Sequence, residues 1–137
     1  MNVDKLNEMI TGQEGLSKTL GMEFISTPEE DTCMARMKVD DRNKQPFGFL
    51  SGGASLALAE NLAGVASMAI CPNKICVGIN VSGNHVKAVE EGSWVTAHAK
   101  LVSRGHKLHV WHIEIMDEDD DVISSVEVTN YVITPKK

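Results

Sequence analysis

The chain has 137 residues, 42% of them hydrophobic, and a formal net charge of −6. That is one domain's length, enough to bury a core and short of two domains, and the acidic balance argues against a nucleic-acid binder while leaving room for a local basic patch on a phosphorylated ligand. Cys33, Cys71 and Cys76 are an odd number without dense spacing, which suits reduced thiols better than a disulfide framework.

The opening stretch MNVDKLNEMITGQEG is polar and mixed in charge and lacks a secretory pattern, so a cytoplasmic protein is expected. Leu6, Met9 and Ile10 share a helical face, predicting a short amphipathic helix over 4–10. From Leu20 the pattern alternates, with Leu20, Met22 and Phe24 on one side. The turn signal TPEED follows, and then Cys33, Ala35, Met37 and Val39 on one side of a second strand, which together predict a hairpin.

Residues 40–52 are rich in turn formers and lead into a helix from Gly53 to about Ala69, ended by Pro72. The apolar run Ala54 to Ile70 is interrupted by Glu60 and Asn61 and is a little short for a membrane span, so it reads as a buried helix with no membrane partner. Four strand-like runs follow: ICVGINVS with HVKAV, SWVTAHAKLV, KLHVWHIEIM and VISSVEVTNYVI. The turn signals EEGS, SRG and DEDDD separate them, as in a meander. A helix apolar nearly all round has to be covered on most sides. The expected fold class is therefore α+β, an antiparallel sheet of about six strands wrapped around one long central helix, in a single domain over 1–137.

The stretch 45–61, QPFGFLSGGASLALAEN, sets one carboxylate into an apolar helix. At 3.6 residues per turn Gly53, Ala57, Gly64 and Ser67 lie on the side of Glu60, with Ala63 close by, so the acid has room beside it for another molecule or another subunit. Buried alone it would be costly, so it must be hydrogen-bonded, paired, protonated or open to solvent. A lone helical glutamate is more often structural than functional. What precedes it shifts the balance. The pair Gly52 and Gly53 at a helix start leaves backbone N–H groups unencumbered as donors for a developing oxyanion, and the Gln45 amide just upstream can polarise a carbonyl. A carboxylate, amide donors and a polarising side chain in one segment suit acyl transfer.

The order Q-P-F-G-x-L-x-G-G-A-S-x-x-L-A-E from Gln45 to Glu60, with N-H-V at Asn84 to Val86 and V-W-x-I-E-I at Val110 to Ile115, resembles the hotdog-fold acyl-CoA thioesterases. The branch it is most similar to carries a helical glutamate and contains the enzymes that cleave 4-hydroxybenzoyl-CoA and 1,4-dihydroxy-2-naphthoyl-CoA. The resemblance spans about Leu20 to Ile133. It implies that Glu60 is the nucleophile or general base toward the thioester, Gln45 the glutamine beside the carbonyl, the Gly52 N–H the oxyanion donor, and that His85 lies near the coenzyme A arm. It also implies a homodimer or homotetramer with the site at the dimer interface, an acyl-CoA substrate and no cofactor. Two positions depart from the pattern. Ser51 stands where most of these enzymes have histidine, and Gly64 where this branch often has serine or threonine. Both motivate a second reading, an acyl-CoA-binding or regulatory protein with little turnover. A hotdog dehydratase is a third, disfavoured because the loop position that would supply its histidine is Ser51.

Other constellations are weaker. His106, His109 and His112 are spaced as H-x-x-H-x-x-H, but on a strand His109 points away from the other two, so no metal site is expected. Cys71 and Cys76 have no further pair to complete a cluster. The run Asp117 to Asp121 reads as a solvated turn. Lys100, Arg104 and Lys107 surround the SRGHK turn with no acid between them and are candidates for the phosphates of coenzyme A, about as readily as for a solvated turn.

Overall fold

The computed structural model describes residues 1–136. Its elements run α1 (Asp4–Thr11), α2 (Leu16–Leu20), β1 (Met22–Ile25), β2 (Thr32–Lys38), α3 (Gly52–Ile70), β3 (Ile75–His85), β4 (Trp94–Arg104), β5 (Leu108–Met116) and β6 (Val122–Ile133). Leu20 ends a short helix that the alternation did not predict. Gly21, at φ 80°, closes that helix in the left-handed conformation that favours glycine, and the extended chain begins only at Met22.

The six strands form one antiparallel sheet in the order β1-β2-β4-β5-β6-β3. The expected meander holds for β4 to β6. β3 departs from it: it leaves the end of α3 at the far edge, pairs only with β6, and reaches β4 by a connection across the helix N-terminus. The pleat sends Cys33, Ala35, Met37, Val95, Ala97, Ala99, Trp111, Ile113, Ile115, Val126 and Val128 to the inner face, all buried. Against that face α3 buries Leu58, Ala59, Leu62, Ala63, Val65 and Ala66. Leu58 and Leu62 are fully covered, each a contribution of about 2 kcal/mol. By length and composition α3 could cross a membrane, but its buried residues pack on this sheet.

The C-terminal half of α3 is fixed by a buried polar cluster. Trp111 Nε1–H (2.8 Å) and Asn130 Nδ2–H (2.9 Å) both donate to Ser67 Oγ, and His109 Nδ1 lies 2.9 Å from the same oxygen. Two donors occupy both hydroxyl lone pairs, so the Ser67 proton goes to His109 Nδ1 and the imidazole is neutral with its hydrogen on Nε2. Burial first, then the nearby Arg104, pushes the His109 pKa below its usual value. His112, on the opposite face of β5, lies half-exposed on the outer surface, while His109 is 1% exposed.

Candidate active site

The loop before α3 is pinned by buried Asn43, whose Nδ2–H groups donate to Lys38 O (2.8 Å) and Leu20 O (3.3 Å) while its Oδ1 accepts from Asp40 N–H. Gln45 to Gly48 then form a turn closed by Gly48 N–H to Gln45 O (3.1 Å), with Gly48 at φ 89°. The Gln45 Oε1 accepts from the Phe47 N–H, which orients the amide and leaves its NH₂ free to donate. α3 starts without a side-chain cap: Ala54 and Ser55 N–H donate to Ser51 O, and the N–H groups of Gly52 and Gly53 precede them at the positive end of the helix.

Gln45, Gly52, His85 and Ser124 line one cavity of about 450 Å³. The ring of His85 lies against Gly52 so closely that a methyl group there would stand 2.8 Å from its Cδ2 and Nε2. The other ring nitrogen, Nδ1, is 2.8 Å from Ser124 Oγ. Lys87 also lines this cavity, and it is held charged by Asp117 and Asp121, at 2.6 and 2.7 Å. The acidic run is thus more than a solvated turn: Asp117 and Asp121 tether a cation at the cavity wall.

Glu60 lies elsewhere. It lines a second cavity of about 250 Å³ with Ile10, Ser17, Asn61, Met68 and Gly78, and Gly64 borders the same space. Its carboxylate packs on the Gly78 backbone, where β3 bulges between Gly78 and Asn80. Among the described residues Glu60 makes no ion pair. Eight residues separate it from Gly52, about 12 Å along the axis and roughly 80° around it. One chain therefore does not bring Glu60 to the carbonyl that Gln45 and Gly52 would hold.

The remaining candidates are dispersed. Ser51 is the N-cap residue with no cap hydrogen bond from its side chain, and nothing near Gly53 demands glycine, since the closest contact of a methyl there is Ser51 Oγ at 3.6 Å. Lys100 pairs with Asp31 on the outer face, Arg104 Nη2 donates to Ile70 O at the end of α3 (2.8 Å), and Lys107 sits in the following turn. None of the three lines either cavity. Sequence reasoning missed Ser17, Gly78, Lys87 and Ser124. Gly78 alone carried a signal, a glycine inside a strand, which marks a bulge or a close approach.

A family model described as the thioesterase superfamily matches residues 47–124. The chain belongs to the thioesterase superfamily. Its sheet and central helix are the hotdog fold of that family, and a thioesterase of Pseudomonas aeruginosa, solved as a glutamine-to-alanine mutant, is 31% identical with a TM-score of 0.89, over 98% of this chain and 96% of that one. The 1,4-dihydroxy-2-naphthoyl-CoA hydrolase of Listeria monocytogenes is 36% identical over 110 residues, 80% of this chain and 88% of that protein. A Staphylococcus aureus thioesterase, 31% identical with a TM-score of 0.78 over 85% of this chain and 97% of that one, has been solved with a glutamine and, separately, with a glutamate replaced by alanine. Those two positions are fifteen residues apart, the separation of Gln45 and Glu60 in this thioesterase.

Proposed function

We propose that this thioester hydrolase acts on acyl- or aryl-CoA, with Glu60 of one subunit facing Gln45 and the Gly52 N–H of a second across a dimer interface. The observation that carries this reading is the division of the parts. An amide and a free helix-terminal N–H share one cavity, an unpaired carboxylate lines another, and neither set is sufficient alone. The exposed edge strand supports the second copy. β3 presents Ile75 (52%), Val77 (40%) and Ile79 (57%) at an unpaired sheet edge beside Glu60, the apolar surface that a twofold partner would cover. The activity of the Listeria relative supports an aryl-CoA thioester as substrate, and the paired mutants of the Staphylococcus protein support the choice of Gln45 and Glu60.

In this reading the thioester carbonyl oxygen accepts from the Gly52 N–H and the Gln45 amide. Glu60 attacks the carbonyl carbon and the C–S bond breaks, releasing coenzyme A as the thiolate and leaving a mixed anhydride that water hydrolyses to the free acid, or Glu60 takes a proton from a water that attacks the carbonyl carbon and passes it to the sulfur as the C–S bond breaks. His85 lies beside the carbonyl donors, on the path of the coenzyme A arm. Among the three basic candidates Lys107 is the one without an ion pair or capping bond among the described residues, and it is the one we assign to the phosphates.

Thiol release from benzoyl-, naphthoyl- and fatty acyl-CoA tests the proposal. Release from the aryl thioesters is expected. Every thioester remaining intact would overturn it, and saturable binding without release would make the protein an acyl-CoA-binding module.

A further inference from the structure

We propose that Ser124 is a positioning residue: it holds the His85 ring with the hydrogen on Nε2, and this Nε2–H is a third donor to the thioester carbonyl oxygen. It stands beside the Gly52 N–H and the Gln45 amide, and the four residues line one cavity. This rests on the reading of Gln45 and Gly52 as the carbonyl donors.

The sheet sets the pair. His85 and Ser124 are directly opposite each other in the β3–β6 ladder, so their side chains leave the same face about 5 Å apart. Just beyond the ring, Val86 N–H donates to Ile123 O at 2.8 Å and fastens the end of β3. Ser124 is 1% exposed, and its hydroxyl has one partner among the described residues, His85 Nδ1 at 2.8 Å. Were Nδ1 the donor, the buried Ser124 hydrogen would have no acceptor, which is costly. The hydroxyl therefore donates to Nδ1, and in the neutral ring the hydrogen lies on Nε2.

The far edge of the ring meets the oxyanion donor. A methyl group at Gly52 would stand 2.8 Å from both Cδ2 and Nε2, so the bare glycine is what admits the ring there. The tautomer then decides the sign of its effect. An Nε2–H adds a hydrogen bond to an oxygen whose negative charge grows in the transition state, whereas a lone pair on the same nitrogen would repel it. The Ser124 hydroxyl is committed to Nδ1 and acts only through His85.

Two measurements test the inference. In protein labelled with heavy nitrogen at histidine, the His85 signals are assigned by their loss in His85→Ala, and the neutral ring should carry its hydrogen on Nε2. A hydrogen on Nδ1 would overturn it. In the hydrolysis of benzoyl-CoA, Ser124→Ala should lower kcat about tenfold, the usual effect of one neutral hydrogen bond, with KM little changed. Ser124→Thr, which keeps the hydroxyl, should recover most of the rate, and in a His85→Ala background Ser124→Ala should cost nothing further. A rise in KM alone would leave His85 on the coenzyme A arm only, and an equal loss with and without His85 would make Ser124 structural; either result overturns the inference. Melting curves identify a variant that fails to fold, and should Ser124→Ala do so, Ser124→Cys, a weaker donor of similar size, takes its place. If no thioester is cleaved, the thioesterase reading falls, and the nitrogen spectra still decide whether Ser124 sets the His85 tautomer.

Discussion

The carboxylate of Glu60 occupies the space that a side chain at position 78 would need: a methyl group on Gly78 would stand 2.6 Å from Glu60 Oε2 and 3.0 Å from its carboxyl carbon. The absence of a side chain in the middle of β3 is thus tied to the position of one acid on α3. Gly78 has no left-handed backbone angle, so its requirement is one of space and not of conformation.

Gly78→Ala should accordingly push the carboxylate aside. Because a flexible side-chain end yields easily, stability should change by less than about 1 kcal/mol, while kcat falls at least about tenfold through the misplaced acid. Calorimetric melting and steady-state rates check the two parts. An unchanged rate would mean that contact with β3 does not set the working position of Glu60.

A site divided between subunits predicts complementation. Glu60→Gln and Gln45→Ala should each be inactive, and coexpression of the two should restore activity. Random pairing makes half of the dimers mixed, each with one intact site of two, so roughly a quarter of the native rate is expected. A mixture no more active than its components would place the whole site within one chain.

The Ser67 cluster predicts a pH-dependent stability. His109 has a folded pKa below its unfolded value, so the unfolded chain takes up the proton at higher pH. The contribution is complete above about pH 6.5 and is lost as the pH falls below that toward the folded value. Melting temperatures from pH 8 to 5 should decline on the acid side, and less steeply in His109→Gln. Ser67→Ala removes the acceptor of both Trp111 and Asn130 and should cost about 2–4 kcal/mol at neutral pH.

The parts legible in the sequence are those written in short-range pattern. The apolar run after Gly52 and the alternation of Cys33, Ala35 and Met37, or of Trp111, Ile113 and Ile115, are local consequences of helical and pleated geometry, and the structure has these elements within a residue or two of their expected limits. The position of β3 is not local. ICVGINVS is exposed along most of its length, and its pairing with β6 instead of β4 depends on where a nineteen-residue helix delivers the chain. The motif residues Gln45, Gly52 and Glu60 stand in one stretch of sixteen and were visible together. The two cavities that separate them, and the contributions of Ser17, Gly78 and the Lys87–Asp117 pair, arise from contacts between distant segments that no spacing announces.

The most direct measurement is the rate and thermal stability of Glu60→Gln on one preparation. The amide is nearly isosteric and its surroundings are open, so the fold and coenzyme A thioester binding should persist. An amide is neither an adequate base nor a competent nucleophile, so kcat should fall at least about a hundredfold. A stable, substrate-binding and inactive variant is the predicted result. A variant with a lowered melting temperature and a nearly native rate per folded molecule would contradict it and make Glu60 a structural residue.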